Sequence, residues 1–278
     1  MIVLNQKTSL SKNKVGGKAA NLNKLFRSGF VIPTAFALST SVFESFAKEA
    51  KVFSKILDLT LDKSLDDLIS DTAEIQKIIL SCNISPDLLS KVKKTLNKAN
   101  IPLLAVRSSV NVEDGSKFSF AGQFESFLDV NLEEIESSIK KCWASCYSGR
   151  VIMYCYYNKI SPSILRPSVI LQEMLSAKKG GVVFTRSPKP NQALIEVCNG
   201  DVNHLTDGVV EPERYYINQQ NKIDVIVGGS HSNTSQERLR SVVDVAREIE
   251  HTFGCPQDIE WIFHHDQVII LQARPQTS

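Results

Sequence analysis

Two runs near the end of the chain constrain its fold most. Asp258-Ile259-Glu260-Trp261 and Val268-Ile269-Ile270-Leu271-Gln272-Ala273-Arg274 each alternate with period two, and the polar step His264-His265-Asp266 lies between them. This pattern reads as an antiparallel hairpin. Asp258 and Glu260 share a face of one strand, and Gln272 and Arg274 share a face of the other. At a rise of about 3.3 Å per residue the two acidic α-carbons stand roughly 6.6 Å apart. At an effective dielectric near 20, two such charges repel by about 2.5 kcal/mol, so a cation is expected between them. Two carboxylates, a carboxamide oxygen and a guanidinium fork suit a divalent metal holding a polyphosphate. A solvated strand face of mixed charge uses the same residues, and only the rest of the chain separates the two readings.

A chain of 278 residues buries a substantial core and fits one large domain or two intimate subdomains. Its net charge of +2 gives no reason to expect nucleic acid or an acidic membrane surface as a partner. Lys91, Lys93 and Lys94 fall at helical spacing and read as a solvated face. The first residues lack an apolar leader, and no run reaches the roughly 18 to 20 apolar residues of a membrane span, so a cytoplasmic location is expected. Six cysteines, without a Cys-x-x-Cys pair or a histidine at zinc spacing, are expected to pack as reduced thiols.

The layout is α+β. Gly16-Gly17 turn into a helix with Ala19, Leu22 and Phe26 on one stripe, ending at Gly29. Helices are also expected after Ser39, from Ser64 to Leu80, and after Ser85-Pro86, making the first hundred residues mostly helical. Leu103 to Arg107 reads as a buried strand, residues 125–130 as a second, and 131–147 as an amphipathic helix. Strands dominate after Pro167, interrupted by one strong helix over 236–253. The whole chain is expected to be a single nucleotide-binding domain. A helical part over 1–100 and a connecting part over 101–165 would lead to a strand-rich lobe over 166–278, with a ligand cleft between lobes.

Several segments carry chemistry. Gly16-Gly17-Lys18 at a helix start offers backbone N–H groups and an ammonium to an anion, without the spacing of a Walker motif. Val106-Arg107-Ser108-Ser109 runs into Glu113-Asp114 and then Ser119-Phe120-Ala121-Gly122-Gln123. Arg107 at a strand end can clamp phosphate oxygens under a small-residue loop, or can pair with Glu113 or Asp114. Gln172-Glu173 at the end of an apolar strand suits an adenine, and Thr185-Arg186 ends a glycine-preceded strand as a second possible phosphate clamp.

Taken in order, six segments resemble the ATP-binding domain of phosphoenolpyruvate synthase, pyruvate phosphate dikinase and rifampin phosphotransferase. They are Gly16 to Leu22, Val31 to Phe36, Val106 to Glu125, Gln172 to Met174, Gly181 to Pro188, and Asp258-Ile259-Glu260-Trp261 with Leu271 to Pro275. The resemblance spans nearly the whole chain. It implies an ATP-grasp-type fold that holds ATP and Mg²⁺ between two lobes. Lys18 and Arg107 would hold phosphates, with the loop of Ser119, Gly122 and Gln123 closing over them. Gln172, Glu173 and Leu175 would line the adenine pocket, with Thr185 and Arg186 also on the nucleotide. Glu260 and Gln272 would ligate magnesium beside Asp258, and Arg274 would stabilise the transferring phosphoryl group. Lys18, Arg107 and Arg274 are thus the expected catalytic set.

The activity implied is an ATP-dependent phosphotransfer, to a histidine carrier supplied in trans or directly to an acceptor. A non-catalytic ATP-sensing module is the alternative. Two departures from the family pattern stand out. Asn199-Gly200-Asp201 replaces a Gly-Leu-Gly-Glu stretch, and Tyr154-Cys155 replaces Tyr-Arg, losing a cation. None of the five histidines matches the family's carrier loop, and they read as surface or structural residues.

Overall fold

The structure, a computed structural model, describes residues 1–113, 120, 122–200, 202–206, 208–220, 222–226 and 234–276, with the backbone alone at 204, 225 and 226. The elements in chain order are β1 (Ile2–Val3), α1 (Lys12–Val15), α2 (Gly17–Arg27), β2 (Ala35–Leu38), α3 (Thr40–Glu49), α4 (Phe53–Leu57), α5 (Leu65–Ser81) and α6 (Pro86–Lys98). There follow β3 (Leu104–Val110), β4 (Ser126–Val130), α7 (Ile135–Ser145), α8 (Gly149–Tyr157), β5 (Pro167–Glu173), β6 (Lys179–Phe184) and β7 (Gln192–Asn199). The remainder is α9 (Val202–Thr206), β8 (Glu213–Asn218), β9 (Ile223–Ile226), α10 (Gln236–Phe253), β10 (Gln257–His264) and β11 (Gln267–Pro275). Every strand pair is antiparallel, so the fold is α+β, as the sequence layout indicates.

Contacts divide the chain into two compact units, Met1–Ala20 with Thr34–Met174 and Asn21–Pro33 with Leu175–Ser278. This differs from a division near residues 100 and 165. β2 pairs with β5, and β5 with β3, so the helical first hundred residues and the segment up to Met174 share one sheet. Those first hundred residues are mostly helical, as expected, and β1 and β2 also lie within them. β2 is buried at all four positions, which leaves it no alternation by which a strand could be read.

In the first unit the sheet order is β1-β2-β5-β3-β4. Ser64 caps α5 by accepting the Asp67 N–H at 3.1 Å, worth about 1 kcal/mol. The apolar stripe of α5, Leu68, Ile75 and Ile79, joins the core beneath α7 and α8. At the centre of that core, the Trp143 ring centroid lies 4.8 Å from that of Phe46 and 5.5 Å from that of Phe43, pairs worth about 0.5–1.5 kcal/mol each beyond area burial.

In the second unit the order is β11-β10-β6-β7-β8-β9. α10 starts at the Ser235 cap and stops at Gly254, whose φ of 74° suits a residue without a β-carbon. It lays Leu239, Val242, Val243, Ala246 and Ile249 on the face of the sheet that bears Val183, Ile195, Ile259 and Ala273. The opposite face carries Asp258, Glu260, Gln272 and Arg274 at one end, and Val182, Ile262 and Ile269 in an apolar cluster with Val202 and Leu205 of α9 at the other. The β10–β11 turn puts His265 and Asp266 at positive φ, the geometry of a two-residue hairpin of primed type.

All six cysteines are free thiols. Burial pushes Cys142 and Cys155 up to about 12 and Cys146 well above its ordinary value, which withholds the thiolate that alkylation requires. Brief treatment of the native protein with iodoacetamide is expected to label Cys82 and Cys255, the two partly exposed thiols, and to spare Cys142, Cys146, Cys155 and Cys198; intact and peptide mass measurements check this. Among the described residues no helix is long and apolar enough to cross a membrane.

Candidate functional site

β3 is buried along its whole length between β5 and β4, and it carries the polar run of the first unit through the core. Arg107 is 8% exposed, opposite Ile170 of β5 and Ser126 of β4. The two serines that follow have structural bonds. Ser108 Oγ lies 3.0 Å from Glu125 O and 3.2 Å from Cys142 O. Ser109 Oγ donates to Val15 O at 2.9 Å and accepts the Ala19 N–H at 3.1 Å. One of the donors at the start of α2, the place read as an anion cradle, is therefore satisfied by a strand hydroxyl. Gly16, at φ 79°, permits this approach: a β-carbon there would stand 2.2 Å from Ser109 Oγ.

Lys18 Nζ lies 2.7 Å from Glu113 Oε1 and 3.5 Å from Ser108 O, with side-chain exposures of 13% for Lys18 and 3% for Glu113. Glu113 Oε2 also accepts the Val110 N–H at 3.3 Å. The loop acid is thus the partner of Lys18, where the sequence offered it to Arg107. An ammonium has three donors, and these contacts use two. Sequence reasoning missed Ser109 as the group bonded to the start of α2 and Glu113 as the partner of Lys18, because nothing local links them to a helix so far away in the chain.

Ser119 lies outside the described residues. Of its loop, Gly122 has φ 68°, and Gln123 donates its N–H to Phe120 O at 3.0 Å while its carbonyl accepts Arg150 Nη2 at 2.9 Å. Phe120 stacks on Phe124 at 5.3 Å and meets Tyr154 at 4.6 Å, so the base of the loop is pinned to α8. The next residue of α8, Cys155, is fully buried in the core, which explains why an uncharged side chain suits that position. Gln172 is 2% exposed within β5. Glu173 Oε2 accepts the Thr34 N–H at 3.2 Å, and the Glu173 N–H donates to Thr34 O at 2.8 Å. Leu175 begins the second unit and packs, partly buried, against the cluster of Val182, Cys198, Val202, Leu205, Ile262 and Ile269.

In the second unit the register sets Asp258 opposite Arg274 and Glu260 opposite Gln272, on the face that α10 does not cover. Arg274 donates Nε and Nη2 to Asp258 Oδ2 at 2.8 and 2.6 Å, and Gln272 Nε2 lies 3.4 Å from Glu260 Oε1. Glu196 extends the Glu260 row across Val182 and pairs with Arg214 at 2.8 Å. Burial of the Asp258 carboxyl raises its pKa; Arg274 opposes that shift, and Glu260 and Glu196 add to it. The cation expected near the two acids is therefore Arg274 itself, seated on Asp258. Glu260 and the Gln272 carboxamide are the hard oxygen donors this face presents to a divalent ion. They fit magnesium, which takes one or two protein ligands and completes its shell with water and phosphate oxygens. Among the described residues no group of three or more His, Cys, Asp and Glu is placed to hold a metal.

Thr185 and Arg186 follow β6. Thr185 Oγ1 accepts the Gln257 N–H at 2.8 Å, and the Arg186 N–H donates to Gln276 Oε1 at 2.9 Å. Both residues line a cavity of about 800 Å³ to which none of Asp258, Glu260, Gln272 and Arg274 contributes. His251 and His265 are exposed, and His264 lies 3.0 Å through Nδ1 from Ser176 O. The side chain of His204, and all of His231, lie outside the described residues.

Comparison with known proteins places this chain in a family. The probable phosphoenolpyruvate synthase of Methanothermobacter thermautotrophicus is 28% identical, over 95% of this chain and 44% of that protein. The rifampicin phosphotransferase of Bacillus cereus is also 28% identical, over 95% of this chain and 34% of its own length. The chain thus spans between about a third and under half of these relatives. The solved D-alanyl-alanine synthetase A of Vibrio cholerae aligns over 94% of this chain and 57% of its own, with 8% identity and a TM-score of 0.41, a likeness too slight to define a topology. The family of the pyruvate phosphate dikinase AMP/ATP-binding domain matches residues 12–236 and 229–278, and the chain belongs to it.

Proposed function

We propose that this chain is the nucleotide-activating part of an ATP- and magnesium-dependent phosphotransferase with an ATP-grasp-type fold. The reading is carried by one observation: a family AMP/ATP-binding chain keeps a half-buried, acid-paired lysine in one unit and the Asp258–Arg274 and Glu260–Gln272 rungs in the other. Phosphoryl transfer needs little covalent chemistry from the protein. It needs fixed cations at the phosphates and donors aimed at charge that develops in the transition state. Lys18, oriented by Glu113, and Arg107 would hold phosphate oxygens. Ser119, Gly122 and Gln123 would close over them. Gln172, Glu173 and Leu175 would form the adenine wall, with Thr185 and Arg186, at the end of β6, also on the nucleotide.

Glu260 and Gln272 would hold Mg²⁺, which when bound supplies charge neutralisation between phosphates. Asp258 would aim Arg274, the guanidinium that meets the transferring group. The phosphoryl group would pass to a histidine carrier outside the described chain, or directly to an acceptor. Incubation with ATP, magnesium and candidate acceptors, resolving AMP from ADP, tests the reading. Either nucleotide product, formed in step with phosphorylated acceptor, supports it. Tight binding with neither product points to a nucleotide sensor instead. Glu260→Ala is expected to weaken magnesium-dependent ATP binding about tenfold or more, while metal-free binding changes little; calorimetry at several magnesium concentrations separates the two.

A further inference from the structure

β11 closes one end of its sheet, so its inner edge pairs with β10 while its outer edge meets no strand among the described residues. The inner ladder is broken once. From His264–Gln267 to Trp261–Ile270 the pairing follows the turn; Glu260 then faces Gln272, with Leu271 as the extra residue of a bulge. Without that bulge the turn-side register would run on to set Gln272 opposite Ile259 and Arg274 opposite Gln257, two fully buried positions. Both functional side chains would then leave the face that holds Asp258 and Glu260. The bulge therefore decides what that face presents. Beyond it, four rungs, Glu260–Gln272 to Gln257–Pro275, tie the segment to β10.

Two bonds on the outer edge bracket the bulge. On the turn side the Ile270 N–H donates to Val31 O at 2.9 Å. On the far side Asn21 Nδ2 donates to Ala273 O at 3.2 Å. Both partners come from Asn21–Pro33, which belongs to the same compact unit as β11. Asn21 is 7% exposed and Ala273 is fully buried, so loss of the amide would leave a buried carbonyl without this donor. Asn21 also stands inside α2, where asparagine is a poor choice on helix propensity alone, so its side chain answers to a tertiary need.

We propose that Asn21 is a positioning residue for phosphoryl transfer: it holds the far side of the β11 bulge so that Gln272 reaches the metal beside Glu260 and Arg274 reaches the transferring group. The proposal rests on the nucleotide reading of those two side chains. Asn21 acts through the Ala273 carbonyl, which lies between them in the chain, and contacts neither nucleotide nor metal. Such a site tolerates little slack, since a misplacement of about 1 Å at the reacting group costs about 10²-fold in rate.

The test compares the full wild-type chain with Asn21→Ala and Asn21→Asp; the second keeps the shape of the side chain and puts an acceptor where the donor was. Amide hydrogen exchange is read residue by residue without nucleotide, alongside turnover and ATP binding at several magnesium concentrations. Both variants are expected to exchange about tenfold or more faster at Gln272 and Arg274, whose amides face β10, while Gln267 and Ile269 on the turn side of the bulge keep wild-type rates. Turnover per folded molecule is expected to fall about 10- to 100-fold and apparent magnesium affinity severalfold, with metal-free ATP binding unchanged. Should Asn21→Ala fold poorly, Asn21→Ser, which keeps a polar group too short to reach Ala273, carries the same comparison. Wild-type exchange beyond the bulge, equal acceleration at both ends of β11, or a lowered melting temperature with wild-type turnover and magnesium dependence would overturn the proposal. Faster exchange confined to Gln272 and Arg274, in a chain whose wild type neither binds nor turns over ATP, would support the hold on β11 and overturn the nucleotide reading instead.

Discussion

Arg274→Ala is expected to cut ATP-dependent turnover by about 10³- to 10⁵-fold while changing ATP affinity little, the loss associated with a guanidinium that acts in the transition state. That corresponds to about 4–7 kcal/mol of barrier. The structure adds a complication that the same experiment must resolve. Arg274 also neutralises Asp258, whose side chain is 12% exposed, so truncation leaves a nearly buried carboxyl without its strongest partner. Some loss of stability is therefore expected alongside the loss of turnover. Arg274→Lys separates the two effects. A lysine restores a cation beside Asp258 but not the planar fork, so melting temperature is expected to recover and turnover is not. Recovery of both would reduce Arg274 to a structural ion-pair partner.

The second large effect belongs to Glu113. Glu113→Ala strands the Lys18 ammonium, whose side chain is 13% exposed, and removes the acceptor of the Val110 N–H. Breaking a buried pair by removing one member costs about 3–5 kcal/mol. For a protein of this size that lowers the melting temperature by roughly 6–15 °C. Glu113→Gln keeps an acceptor for Val110 and is expected to cost less than half as much. The double variant Lys18→Met, Glu113→Leu replaces the pair by apolar groups and is expected to recover most of the stability of Glu113→Ala, without recovering ATP binding. A Glu113→Ala protein that melts as the wild type does would show that Lys18 finds solvent at no cost, and the orienting role given to Glu113 would fall.

Legibility in the sequence followed the physics of each segment. The closing hairpin could be read where α10 covers one face and Asp258, Glu260, Gln272 and Arg274 hold the other, since alternation survives there; the bulge at Leu271 could not, because Val268 to Leu271 is an unbroken apolar run. α10 could be read because Ser235 and Gly254 bracket an uninterrupted stripe. β2 could not, since a strand buried on both faces carries no period. α1, α4 and α9 are only four or five residues long, too short for a helical stripe to show.

At the candidate site, the sequence placed Asp258, Glu260, Gln272 and Arg274 on common strand faces. It did not place Arg274 on Asp258, because that pairing depends on register, and register depends on the turn at His265 and Asp266. The partnership of Lys18 with Glu113, and of Ser109 with the start of α2, joins segments distant in the chain and leaves no local trace. Arg186 was legible as a cation at a strand end, but where that strand end leads is set by the bonds of Arg186 to Gln276.

The most direct test is calorimetric titration of ATP with magnesium into the folded chain. The account expects one saturable binding event, weakened when magnesium is withheld and abolished or strongly reduced in Lys18→Ala. A folded protein that gives no heat with ATP, or that binds it equally well without magnesium and without Lys18, would contradict it.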